Sequence, residues 1–326
     1  MIGFEDILRG VLAPAAVAAV VFACVRWCAS RVPAERAGAL AWAASVVCGY
    51  AAGHWALEAA GPGLQEAVAK SFRPHQARDW LPLAVLAFAF IDVVPLDGKK
   101  RVGTWLGRAA VCGALAWRML SLHRDYPTSE LVRAGLSETP WSWTGIAVAC
   151  AVLIAIGLCL WQMMASSRSR PHAWILAGLA AAAAGGAGAT LALSGSLFYA
   201  QLLGALAATL GGTGVAMLAT RTAGGPGSAA GPILAGFCGL LLMAVLFTDD
   251  AMGIASATVL LTALTLGTTA LPAKIPTRAA ESVRAVVCLA LIGAVVGIAA
   301  SRFAASIEPV QPTEEAAPNP YSQYQG

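Results

Sequence analysis

Five ionisable side chains, His54, Glu58, Asp92, Arg108 and Arg118, fall within long apolar runs of this chain. A charge inside lipid is costly, so each such residue is a functional-site hypothesis by default. His54 and Glu58 are four residues apart, and a helix carries them on one face. Asp92 precedes the connection 97–103 and Arg108 follows it by a similar distance, so an antiparallel hairpin brings the two to similar depth. Arg118 belongs at the depth of Glu58, which makes Glu58–Arg118 a second expected pair. Carboxylates, an imidazole and guanidinium groups are the parts of a proton relay or a polar solute site. The same five residues also suit two structural ion pairs, or side chains whose heads reach the lipid headgroups while their stems stay in lipid.

A second pattern is made of hydroxyls. Thr258, Thr262, Thr265 and Thr269 recur at spacings of four, three and four, with Asp249 and Asp250 just before them. A hydroxyl stripe beneath two carboxylates could line a path for a cation or solute, although helix threonines also bond back to their own carbonyls. No catalytic set accompanies either pattern. The histidines His54, His75, His123 and His172 stand singly, with no His-Glu-x-x-His run to hold zinc. The eight cysteines lie in or beside apolar runs, and none makes a two-residue-spaced pair. Free thiols fit that placement better than disulfides or a metal centre. No catalytic residue, metal or cofactor is expected, and an enzyme is the third reading.

The elements that must hold these groups follow from composition. Of 326 residues, 58% are hydrophobic and 12% charged, 21 basic and 17 acidic. Soluble domains carry about 25% charge. Polar surface this sparse excludes a soluble enzyme, a nucleic-acid binder and a disordered scaffold. A helix needs about 20 mostly apolar residues to cross the bilayer core. The chain offers about ten such stretches: 8–28, 37–60, 80–96, 104–122, 141–165, 173–194, 197–220, 231–248, 251–271 and 283–305. They are continuous rather than alternating, which predicts helices and not barrel strands. The fold expected is all-α, a polytopic integral membrane protein. Ser194-Gly195-Ser196 reads as a hairpin between the sixth and seventh spans; a kink there would reduce the count to nine.

Basic residues orient the bundle. Arg26, Arg31, Arg36, Lys99, Lys100, Arg101, Arg108, Arg168, Arg170, Arg221, Lys274, Arg278 and Arg284 fall on one side when connections are sorted alternately. The positive-inside rule then places both termini on the outer side of a prokaryotic-style inner membrane. Glu5 and Asp6 precede the first apolar run and its basic residues follow, opposite to a cleaved signal peptide, so that run is expected to be retained. All ten tryptophans lie between Trp27 and Trp174, nearly all near span ends, as interfacial anchors would. The second half is rich in small residues, notably 177–189, and Gly293 with Gly297, Gly49 with Gly53 and Gly103 with Gly107 keep the four-residue glycine spacing. Such faces allow close helix contact, within the chain, with a second copy or with another membrane subunit.

Leu64, Ala67, Val68 and Phe72 recur at helical spacing, as in a short surface helix, and 128–135 reads similarly. The tail, 306–326, holds Pro309, Pro312, Pro318 and Pro320 without apolar periodicity and reads as disordered. The lipid bilayer is an expected partner, and nucleic acid is excluded. A transporter-like protein moving a small solute or ion is the leading expectation. A non-catalytic structural or assembly subunit of a membrane complex is the alternative.

Overall fold

Backbone polar groups cannot be left unpaired in lipid, and a helix pairs them within its own segment. The apolar runs accordingly form helices. The computed structural model describes residues 5, 8–59, 63–74, 76–93, 101–130, 142–165, 173–220, 229–247, 254–268 and 277–307. Over these residues there are eleven α-helices and no strand. They are α1 (Ala13–Cys28), α2 (Ala34–Glu58), α3 (Leu64–Phe72), α4 (Leu81–Val93), α5 (Arg101–Glu130), α6 (Trp143–Ala165), α7 (Ala173–Leu193), α8 (Leu197–Thr220), α9 (Ala230–Phe247), α10 (Ile254–Thr268) and α11 (Thr277–Ile307). A π-helical turn, Leu8–Leu12, leads into α1, and a 3-10 turn, Ala77–Trp80, leads into α4.

Six segments of the described chain are long and apolar enough to cross a membrane: Leu8–Arg31, Trp143–Ala165, Trp174–Leu193, Leu197–Thr220, Ala230–Phe247 and Glu281–Ser306. An all-helical chain with six such segments has the build of a helical membrane protein. The short helix α3 matches the periodicity of Leu64, Ala67, Val68 and Phe72; Ala67 is buried against the bundle while Leu64 and Phe72 are exposed.

Local chemistry explains the boundaries. Between α7 and α8, Gly195 takes φ +86°, the Gly195 amide donates to the Ala192 carbonyl at 3.2 Å, and the Ser196 amide donates to Leu191 at 2.9 Å. This is a Schellman ending, which needs a left-handed residue that glycine adopts without a Cβ penalty. Residues 173–220 therefore form two helices rather than one kinked helix. Helix α6 starts at Trp143, with the Ser142 hydroxyl accepting the Gly145 amide at 3.1 Å. The span expected from residue 141 begins one residue outside the described ones, and Ser142 is the cap. The other expected surface helix, 128–135, is not separate where it is described, because residues 128–130 are the last turn of α5.

Helix α8 packs against α7, α1 and α2, and α9 packs against α4, α5, α6 and α8. Small residues set the distances. A Cβ on Gly49 would sit 2.7 Å from Thr209 and 2.8 Å from Ala18, and one on Gly53 2.7 Å from Ala205. That glycine pair is the seam along which α2 meets α1 and α8. The seam is also pinned by hydroxyls: Ser45 donates to the Ala18 carbonyl at 3.0 Å and touches the Thr213 hydroxyl. Gly293 and Gly297 differ, since nothing lies within 4 Å of a Cβ on either. Two tryptophans depart from the interfacial expectation. Trp42 and Trp161 are fully buried, the first edge-on against Phe22.

Candidate functional site

The five charged side chains do not converge. They fall into two clusters, held by different helices.

The first is built around Asp92 in the last turn of α4. Its side chain is 0% exposed. Oδ1 accepts the Trp161 indole N–H at 2.8 Å and an Arg108 guanidinium N–H at 3.4 Å, and Oδ2 accepts the backbone N–H of Gly231 at 2.7 Å. Gly231 is the second residue of α9, so Asp92 caps that helix from across the bundle. Helix N-termini leave amides unpaired and carry partial positive charge, and a carboxylate satisfies both. Arg108 also donates to the Gln162 side-chain oxygen at 3.4 Å and lies 4.9 Å from the centre of the Trp161 ring. The other partner of that ring is Phe88, stacked at 4.9 Å and 7°. A Cβ at Gly231 would collide with the Trp161 ring and approach the Phe88 carbonyl to 2.8 Å. Glycine at that position lets carboxylate, indole and helix end meet. The cluster ties α4, α5, α6 and α9 together, and both carboxylate oxygens are engaged by protein donors. Asp92 is a clasp.

The second cluster lies at the C-terminal end of α2. Glu58 is buried and stands 3.0 Å from Arg78 Nε, an ion pair without hydrogen-bond alignment. Arg78 comes from the 3-10 turn before α4, and its guanidinium sits 4.4 Å above the Phe198 ring of α8. Asp79, buried beside it, accepts the Gln76 amide at 2.9 Å and lies 4.0 Å from Arg78 Nε. The expected Glu58–Arg118 pair is therefore replaced by Glu58–Arg78. Helix α5 packs against α4, α6, α9 and the 3-10 turn, and Arg118 covers the Trp80 ring at 5.2 Å.

One turn further along α2, His54 is 1% exposed, and its Nδ1 has no hydrogen-bond partner among the described residues. Another turn along, the Tyr50 hydroxyl is equally without a partner, in a side chain that is 0% exposed. The two rings are 6.1 Å apart. Tyr50, His54 and Glu58 thus form a polar ladder on one slowly turning helix face. At a rise of 1.5 Å per residue it descends about 12 Å from the helix end. Buried polar groups ordinarily have partners, and two adjacent exceptions on one face call for an explanation.

The threonine stripe is engaged with its own helix. Thr262 donates to the Thr258 carbonyl at 2.8 Å and Thr265 to Leu261 at 2.6 Å. Thr258 and Thr262 are exposed while Thr265 is buried, and Asp249, Asp250 and Thr269 lie outside the described residues. Among the described residues no three His, Cys, Asp or Glu side chains gather as metal ligands would.

Sequence reasoning missed Trp161, Gln162 and Gly231 in the first cluster and Tyr50, Arg78 and Asp79 in the second. Trp161 was grouped with the interfacial tryptophans. Comparison with protein-family models, with curated proteins and with solved structures yields no match to this chain.

Proposed function

We propose that the chain is a ten-span inner-membrane protein with both termini on the outer side, and that it moves a proton or a small polar solute along the Tyr50–His54–Glu58 face. Helices α2, α4, α5 and α10 supply the four spans beyond the six most apolar segments, and α3 lies on the surface. The observation that carries the transport reading is the pair of buried, unpartnered polar atoms, His54 Nδ1 and Tyr50 Oη, leading inward from Glu58. Unpaired polar groups inside a bundle are expensive unless water or a solute meets them. Asp92 is assigned to the scaffold, because its oxygens are already bound.

The test is flux in proteoliposomes holding a pH-sensitive dye, with an imposed potassium diffusion potential. Wild-type protein is expected to carry protons above empty vesicles, and His54→Phe to reduce that rate at least tenfold while eluting as folded protein. Equal rates for wild type, His54→Phe and empty vesicles rule out a proton as cargo, and the same panel with labelled small solutes then decides the wider reading.

A second reading is a non-catalytic assembly subunit. Gly293 and Gly297 favour it, as an open close-packing pair on the exposed face of α11. Co-purification of a stoichiometric partner that Gly293→Leu abolishes would support that role; a monomer in native mass spectrometry counts against it.

A further inference from the structure

Directly beneath the Asp92 clasp, the four helices it joins leave a half-open apolar crevice of about 90 Å³. Phe88 of α4, Cys112 and Ala116 of α5, Gly157 of α6, and Leu234 and Cys238 of α9 are among its walls. The register is regular. Phe88 stands four residues before Asp92, Cys112 four after Arg108, Gly157 four before Trp161, and Leu234 three after Gly231. These four walls therefore lie about one turn, roughly 4.5 to 6 Å, from their own helices' contributions to the clasp, and Ala116 and Cys238 lie one turn further on. We propose that this crevice holds one alkyl chain of a bilayer phospholipid, whose polar head lies on the clasp side near Gln162.

Three observations fix the class of ligand. Depth is the first. Counting residues to the nearer helix end, the walls of α4, α6 and α9 sit from about 6 Å (Leu234 from Ala230) to about 15 Å (Leu153 from Trp143) inside the bundle, and those of the longer α5 from about 17 Å (Cys112 from Arg101) to about 21 Å (Ala116 from Glu130). One leaflet's share of a 30 Å hydrocarbon core is about 15 Å, so this is the depth of fatty chains and not of headgroups. Size is the second. The volume, about 90 Å³, is below the roughly 150 Å³ of an engineered closed cavity that accepts benzene, and suits a stretch of alkyl chain entering from the open side. Lining is the third. Among the described residues no charged side chain lines the crevice, while a polar group that would meet a head, the exposed Gln162, lies on its clasp side. An amphiphile matches that division, and a free solute does not. Gly157 keeps the space open: a Cβ there would sit 3.1 Å from Cys112 Sγ, and a larger side chain would enter the crevice.

The experiment uses the full chain in nanodiscs of phosphatidylcholine and phosphatidylglycerol, doped with phosphatidylcholine carrying a diazirine in mid-chain. After irradiation, adducts are mapped by mass spectrometry. Labelling of Cys112–Ala116 and Leu234–Leu242 is expected to exceed that of Val286, Val287 and Leu289, exposed side chains of α11, at least threefold. Gly157→Leu should abolish the excess without changing the α11 adducts. Leu153→Ala, which widens the same wall, should raise it, and so covers the case of a Gly157→Leu protein that does not fold. Labelling no higher than on α11, or an excess indifferent to both substitutions, overturns the proposal. None of these outcomes depends on flux through the Tyr50–His54–Glu58 face.

Discussion

Replacing Asp92 by Asn changes one atom and removes the charge on which four helices converge. The carboxylate now accepts from Trp161 at 2.8 Å, Gly231 at 2.7 Å and Arg108 at 3.4 Å. An amide has one acceptor oxygen and one NH2 group, which must face either the Gly231 N–H or the Trp161 and Arg108 donors. Either orientation sets donor against donor and leaves Arg108, 8% exposed, beside a neutral group. Removing one partner of a buried ion pair costs about 3–5 kcal/mol. The Gln162 oxygen and the Trp161 ring still compensate part of the arginine charge, which puts the loss at the lower end, about 3 kcal/mol. Trp161→Phe removes the indole donor, worth about 2 kcal/mol as one hydrogen bond to a charged group, and with it part of a fully buried ring, while an aromatic ring still faces Phe88. Reversible unfolding in mixed detergent–SDS micelles measures both. A loss below about 1 kcal/mol for Asp92→Asn would refute the clasp, since it contradicts a carboxylate that anchors the other three groups.

Further outcomes follow from the same geometry. Gly49→Val should destabilise by roughly 1–3 kcal/mol, because its Cβ meets Thr209 and Ala18 across the seam, whereas Gly293→Ala should stay within about 0.5 kcal/mol; the unfolding assay ranks them. Gly195→Ala should cost about 1 kcal/mol by forcing a Cβ into a left-handed turn, visible as a lower unfolding midpoint. A double-mutant cycle should find about 1 kcal/mol of coupling for Glu58 with Arg78, discounted because Arg78 is 30% exposed, and none for Glu58 with Arg118.

What could be read from the sequence depended on range. Apolar length and continuity are local properties, so the helical runs and the turn at Gly195 were legible. Asp92 and Arg108 were placed at similar depth because a short connection joins their helices. Partners brought in from afar leave no such mark. Trp161 is 69 residues from Asp92 and Gly231 is 139 away, and nothing in a tryptophan near a span end distinguishes an anchor in headgroups from a donor to a buried acid. The Glu58 partner was misassigned because depth alone was used. Arg118 has the right depth on the wrong neighbour, and Arg78 sits in a turn that periodicity does not orient. Gly49 and Gly293 show the same limit for packing, since one spacing serves a tight seam in α2 and an open face in α11.

The proposed division between a dry clasp and a hydrated ladder is tested most directly by radiolytic hydroxyl labelling of the protein in nanodiscs. Tyr50 and Trp161 are both 0% exposed, so surface accessibility alone predicts equal protection for them. A water or solute path past His54 predicts that Tyr50 is oxidised well above the buried control Phe237, while Trp161, held between Asp92, Arg108 and Phe88, is not. Tyr50 protected as fully as Phe237, or Trp161 oxidised ahead of Tyr50, would contradict the assignment of the path to α2 and of Asp92 to the scaffold.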